Sequence, residues 1–150
     1  MKMTSPNSTN ELKYPLMLLL LLVALPFARP AHAEVAVIVN ENNNSNFDEI
    51  IVEKIYLTQS MSLPGVGEVA PVHQKDGTPI RSEFVLALLN KSPPYIRSFW
   101  SKLMFTGGLK AIREVADDEA VIKYVGSTPN AIGYVNAKKA HGAVRIVMTL

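Results

Sequence analysis

The sequence predicts an α/β fold, a small mixed sheet of about four to five strands covered by helices. Three observations predict it. Val35-Ala36-Val37-Ile38-Val39 is an unbroken apolar, β-branched run, the pattern of a strand buried on both faces. Thr78-Pro79 and Ser92-Pro93 each pair a capping residue with a proline suited to the first helical position, and each opens an apolar stripe at helical spacing. Ala131 to Val135 and Ala143 to Met148, each following a turn signal, return the chain to strand character.

The elements follow in order. After the first strand, the polar run Asn40 to Asn46 reads as a loop. Phe47, Ile51 and Ile55 lie four apart and predict a helix, with Asp48 and Glu49 in its first turn and Asn46 or Ser45 as its cap. Ser60 to Gly67 reads as a loop around Pro64-Gly65, and Glu68 to His73 as a second strand. Ile80, Phe84, Ala87 and Leu88 form the stripe of a helix ending near Asn90. The next helix carries Ile96, Phe99, Trp100 and Leu103 on one face and stops at Gly107-Gly108. A shorter one is capped by Asp117, has Asp118 and Glu119 in its first turn and closes at Gly126.

Ahead of this domain, Leu16 to Phe27 is apolar and uncharged, Lys2 and Lys13 precede it, and Ala31-His32-Ala33 supplies small residues before Glu34. That is the layout of a cleavable secretory signal peptide over residues 1–33, followed by a single domain at 34–150. The run falls short of the roughly 20 residues a membrane-crossing helix needs, and Pro26 and Arg29 interrupt it, so no stable membrane anchor is expected. With no cysteine in the chain, a lipoprotein's cysteine-borne lipid anchor, disulfides, thiolate metal sites and a cysteine nucleophile are all excluded.

Charge narrows the function further. The chain has 15 basic and 13 acidic residues, but Lys2, Lys13 and Arg29 leave with the signal against only Glu11. Residues 34–150 are then formally neutral, which removes the electrostatic case for nucleic acid.

The sharpest local feature is the strand-to-helix turn His73 to Arg81. Free amides at a helix start, a glycine allowing close approach and a threonine hydroxyl make such a turn an anion site, with Asp76, Gly77, Thr78 and Arg81 as candidate ligand-binding residues. Arg81 is unfavourable in a first turn unless an anion or a carboxylate lies beside it. The alternative is a plain helix cap and a solvated arginine. The turn lacks the spacing and lysine of a nucleotide phosphate loop.

His73 and His141 have no ligand partner at metal-binding spacing, so neither a metal nor another cofactor is expected. Asp117-Asp118-Glu119 is explained by capping and dipole compensation. No Gly-x-Ser-x-Gly elbow occurs, and the chain is read as a non-enzyme. Phe99, Trp100, Met104 and Phe105 could form a ligand-stacking patch, but their helical spacing favours core packing.

Ile50 to Leu57, Pro71 to Thr78, Phe99-Trp100-Ser101 and Thr128 to Val135, in this order, resemble the periplasmic phosphate-binding proteins of ABC transporters. The stretch Pro129-Asn130-Ala131-Ile132-Gly133-Tyr134 is the most specific part. The resemblance implies a type II periplasmic-binding-protein fold, of which this chain matches about one lobe. It also implies that Asp76, Gly77 and Thr78 match the start of an Asp-Gly-Ser-Gly-Thr turn that holds phosphate, with threonine for serine. Pro79 and Ile80 depart from its Gly-Thr, and Gln74 stands where the family has an arginine, leaving Arg81 to supply the charge from one turn later.

The implied function is a periplasmic solute-binding-like protein that takes phosphate or a similar oxyanion weakly and is linked to ABC-type uptake. A transporter permease or another envelope protein is the expected partner. The alternatives are an envelope interaction module that has lost its ligand, and a homodimer in which two lobes rebuild one cleft.

Overall fold

The computed structural model describes residues 1–2, 33–58, 61–107 and 112–150. The chain divides after Ala31, and the fold below is that of the second unit. The expected signal peptide therefore lies almost wholly outside the described residues. Among those described, no helix is long and apolar enough to cross a membrane.

Among the described residues the elements run β1 (Val35–Asn40), α1 (Glu49–Thr58), β2 (Ser62–Leu63), β3 (Gly67–Glu68), β4 (Ala70–Gln74), α2 (Pro79–Leu89), α3 (Pro93–Phe105), β5 (Arg113–Val115), α4 (Asp118–Ser127), β6 (Ala131–Asn136) and β7 (Val144–Thr149), with a 3-10 turn at Ala137–Lys139. Five strands form one mixed sheet in the order β5-β4-β6-β1-β7. β4 runs parallel to both β5 and β6, whereas β1 is antiparallel to β6 and to β7. This is the predicted α/β class.

The apolar run of β1 has a direct cause in this layering. Val35, Val37 and Val39 pack with residues of α1, α2 and α3 on one face of the sheet, and Ala36 and Ile38 pack with α4 on the other. All six residues of β1 are buried. With helices on both faces, no position of a central strand meets water, and period-two alternation disappears from its sequence.

Gly133 in β6 shows how closely α4 sits. A Cβ there would lie 2.6 Å from Val121 Cγ1 and 2.9 Å from Val72 Cγ1. The other face is closed by an aromatic group from five elements, in which Tyr56, Phe84 and Tyr134 meet edge-on or stacked and His73 and Trp100 lie against them.

Several boundaries differ from expectation. Asp48, rather than Asn46 or Ser45, caps α1, its Oδ1 accepting from the Ile51 amide at 2.7 Å. The presumed loop at 60–67 contains one half of a small antiparallel hairpin, β2 paired with β3, so Glu68 belongs to that hairpin and β4 begins at Ala70. β5 was not foreseen: its three residues include Arg113 and Glu114, both exposed, and carry no apolar pattern. Met104 and Phe105 are not core residues; both are exposed in the last turn of α3, Phe105 to 93%.

Candidate functional site

The site forms where the sheet hands the chain to its helices. β4 ends at Gln74, and Lys75 to Thr78 turn the chain into α2. Gly77 sits at φ +86, a left-handed conformation that side chains disfavour. Thr78 occupies the N-cap position with extended backbone, but its side chain makes no cap bond; its Oγ1 donates to the Lys75 carbonyl at 3.0 Å. Pro79 follows as the first helical residue. The amides of Ile80 and Arg81 fall in the first turn, where no earlier helical carbonyl is available to them.

Arg81 is buried rather than solvated. Its Nη1 donates to the Gln74 carbonyl at 2.6 Å and to Glu114 Oε1 at 2.5 Å. The guanidinium carbon lies 5.5 Å from the centre of the Trp100 ring. The carboxylate that a first-turn arginine requires is thus supplied by β5, which pairs alongside β4 and holds Glu114 opposite His73. Asp76 is paired as well, with Arg97 Nη1 of α3 at 3.0 Å.

Gln74 points to the other face of β4. Its Nε2 donates to Asp118 Oδ1 at 2.7 Å, the same oxygen accepts from the Asn136 amide at 3.1 Å, and Lys139 Nζ lies 2.9 Å from Oδ2. Burial opposes the charge on Asp118, but the bonds from Lys139, Asn136 and Gln74 outweigh it and hold the carboxyl below its ordinary range. Dipole compensation alone therefore understates Asp118, which ties α4, β4 and the end of β6 together. The cap itself is Asp117, whose Oδ1 accepts from the Ala120 amide at 2.9 Å.

Between α2, α3 and the ends of β4 and β5 lies a cleft of about 460 Å³. Asp76 and Arg81 line it; Gly77 and Thr78 do not. Its remaining walls come from Arg97, Trp100, Ser101 and Met104 of α3, with His73, Ile112 and Glu114. Of these, Arg97, Glu114 and Ile112 carried no local signal in the sequence. Trp100 is both core residue and cleft wall.

His73 and Trp100 have an unusual feature in common. His73 is 3% and Trp100 8% exposed, and His73 Nε2 and Trp100 Nε1 are the two buried side-chain polar atoms, among the described residues, with no hydrogen-bond partner. A buried donor left without an acceptor costs about 1–3 kcal/mol. The other ring nitrogen of His73, Nδ1, lies 3.0 Å from the Tyr134 hydroxyl. Burial, with the Arg81 charge adding to it, keeps the His73 imidazole well below its ordinary pKa and hence neutral. Among the described residues, no three acidic or imidazole groups gather as a metal site would require.

No family model matches this sequence. No curated protein matches it either. Solved structures do. One, assigned as a phosphate ABC transporter substrate-binding protein from Clostridium perfringens with bound phosphate, is 18% identical, with a TM-score of 0.51 over 77% of this chain and 45% of the other. A second, an ABC-type phosphate transport receptor from Vibrio cholerae, is 17% identical, with a TM-score of 0.59 over 77% of this chain and 46% of the other. The chain spans less than half the length of either, and over that span it has the mixed α/β fold found in these phosphate ABC transporter binding proteins.

Proposed function

We propose that residues 34–150 form a single extracytoplasmic solute-binding-like domain that takes phosphate or a similar oxyanion at the turn Asp76 to Arg81. The observation that carries this is a cleft lined by Asp76, Arg81 and Arg97 next to the start of α2, whose first-turn amides are unpaired by their own helix; Gly77 and Thr78 lie in the adjoining turn, outside the lining. The likeness to two phosphate transport receptors supports a role in binding rather than catalysis, and in ABC-type phosphate uptake with a transporter permease as partner. It likewise supports a periplasmic location, reached through the signal at residues 1–33. Asp76, Gly77, Thr78 and Arg81 are the proposed ligand residues. Thr78 would release the Lys75 carbonyl to donate, and Arg81 would share its guanidinium with Glu114.

Isothermal titration with phosphate and with sulfate tests this reading. Thr78→Ala is expected to weaken binding about tenfold, the loss of one hydrogen bond to a charged group. No heat from the unmodified protein at millimolar anion would refute it. N-terminal sequencing of the periplasmic protein is expected to start at Glu34.

The occupied state of Arg81 favours a second reading, an envelope interaction module without a small ligand. Arg81 already meets a carboxylate, and α3 presents Tyr95, Met104 and Phe105 to solvent. Recovery of one stoichiometric envelope partner that does not respond to phosphate would select it. A dimer in light scattering whose melting temperature rises with phosphate would instead indicate two copies completing one cleft.

A further inference from the structure

Two residues that line the cleft, His73 and Trp100, each hold a buried ring nitrogen with no hydrogen-bond partner. Tyr134 Oη accepts from the Gln74 amide at 3.3 Å, which leaves its own proton free for His73 Nδ1, 3.0 Å away. A neutral imidazole that accepts at Nδ1 carries its proton on Nε2. In that tautomer His73 Nε2 is a donor, as Trp100 Nε1 always is; the two rings have centres 4.8 Å apart, and both nitrogens are unpartnered. Buried donors in native structures are satisfied, and two of them on residues of one cleft call for an acceptor that enters it.

The charges of the cleft say what kind of acceptor. Arg81 faces Glu114 and Arg97 faces Asp76, so two cations are balanced by two carboxylates. Charge alone therefore gives a bare dianion little hold, and further contacts must add to it. Beside Ser101, the rest of the wall is apolar, from the Trp100 ring, Met104 and Ile112, and the volume of about 460 Å³ suits a small organic molecule. We infer that the solute is an oxyanion carried on an apolar body, its oxygen accepting from His73 Nε2–H and Trp100 Nε1–H while the body lies against Met104 and Ile112. This rests on the reading that the cleft binds a solute, and it names the solute's class.

Trp100 is the only tryptophan of the chain, so its emission reports on the cleft directly. The full chain is titrated with inorganic phosphate, phenyl phosphate, acetate and benzoate, by tryptophan fluorescence and by calorimetry. At least one aryl ligand is expected to bind tenfold or more tighter than its bare anion and to shift the emission. His73→Asn, which keeps an acceptor for Tyr134 but removes the Nε2 donor, and Trp100→Phe are each expected to weaken that ligand about tenfold. Met104 is exposed, so Met104→Ala folds, and it is expected to narrow the preference for the aryl ligand several-fold. Equal affinity for aryl and bare anions overturns the inference, as does undiminished binding in His73→Asn and Trp100→Phe. Phosphate heat that is lost in Thr78→Ala, with no aryl preference, leaves the turn reading standing and overturns this one. Aryl binding that ignores Thr78→Ala, with no phosphate heat, does the reverse.

Discussion

Replacing His73 by asparagine should flatten the dependence of stability on pH between 7.5 and 5.5. In the folded protein the imidazole is enclosed by the Tyr56, Tyr134 and Trp100 rings and faces the Arg81 charge, and it stays neutral well below pH 6.5. In the unfolded chain it titrates near 6.5. Below that value the unfolded state binds one more proton than the folded state, so stability falls as pH falls. The loss begins near pH 6.5, approaches about 1.4 kcal/mol per pH unit, and continues until the depressed folded-state pKa is reached. Between pH 7.5 and 5.5 it amounts to about 1.4 kcal/mol. Urea denaturation at four pH values, followed by Trp100 emission, measures it for the unmodified protein and for His73→Asn. The other histidines are common to both proteins, and their contributions cancel in the difference. Parallel pH profiles for the two proteins would refute the assignment of His73 as a buried, neutral imidazole.

Three further outcomes follow from contacts described above. Asp118→Asn removes the Lys139 ion pair and weakens the bonds from Gln74 and Asn136; it should cost about 2 kcal/mol in urea denaturation near neutral pH. Because the Asp118 carboxyl titrates below its ordinary value, that difference should shrink as pH falls below about 4. Gly133→Ala drives a methyl into Val121 and Val72 and should cost about 1–3 kcal/mol, read as a lowered urea midpoint with an unchanged slope. Arg81→Met leaves the Gln74 carbonyl without its donor and should destabilise by about 1–3 kcal/mol while shifting Trp100 emission, since the guanidinium no longer lies by the ring.

What the sequence disclosed was local. The all-apolar run of β1, the Asp117 cap and the proline starts of α2 and α3 are decided by residues next to one another, and each was legible. The α1 cap was misplaced by two or three residues because a run of asparagine, serine and aspartate offers several capping groups in succession. The site was legible only in part, since pairings between distant segments leave no trace in a local pattern. The need of Arg81 for a carboxylate was readable, but Glu114 became its partner only because β5 joins β4 in parallel register. Gln74 looked like a missing ligand, whereas in the fold it serves Asp118 on the opposite face. The meeting of His73 with Trp100 likewise follows from α3 crossing the end of β4, which no spacing encodes.

The placement of β1 governs how the domain assembles. Its only neighbours in the sheet are β6 and β7, and Val35 exchanges both backbone hydrogen bonds with Leu150. β1 is thus made well before the two strands it pairs with, and waits for them. Until Ala131 to Leu150 are available, β1 is a sticky apolar ribbon with two open edges, and the layers above and below it have no floor. Such high-contact-order pairing slows folding and keeps the growing chain unfolded for longer. A truncation that removes β6 and β7 is then expected to yield aggregates rather than a smaller folded domain.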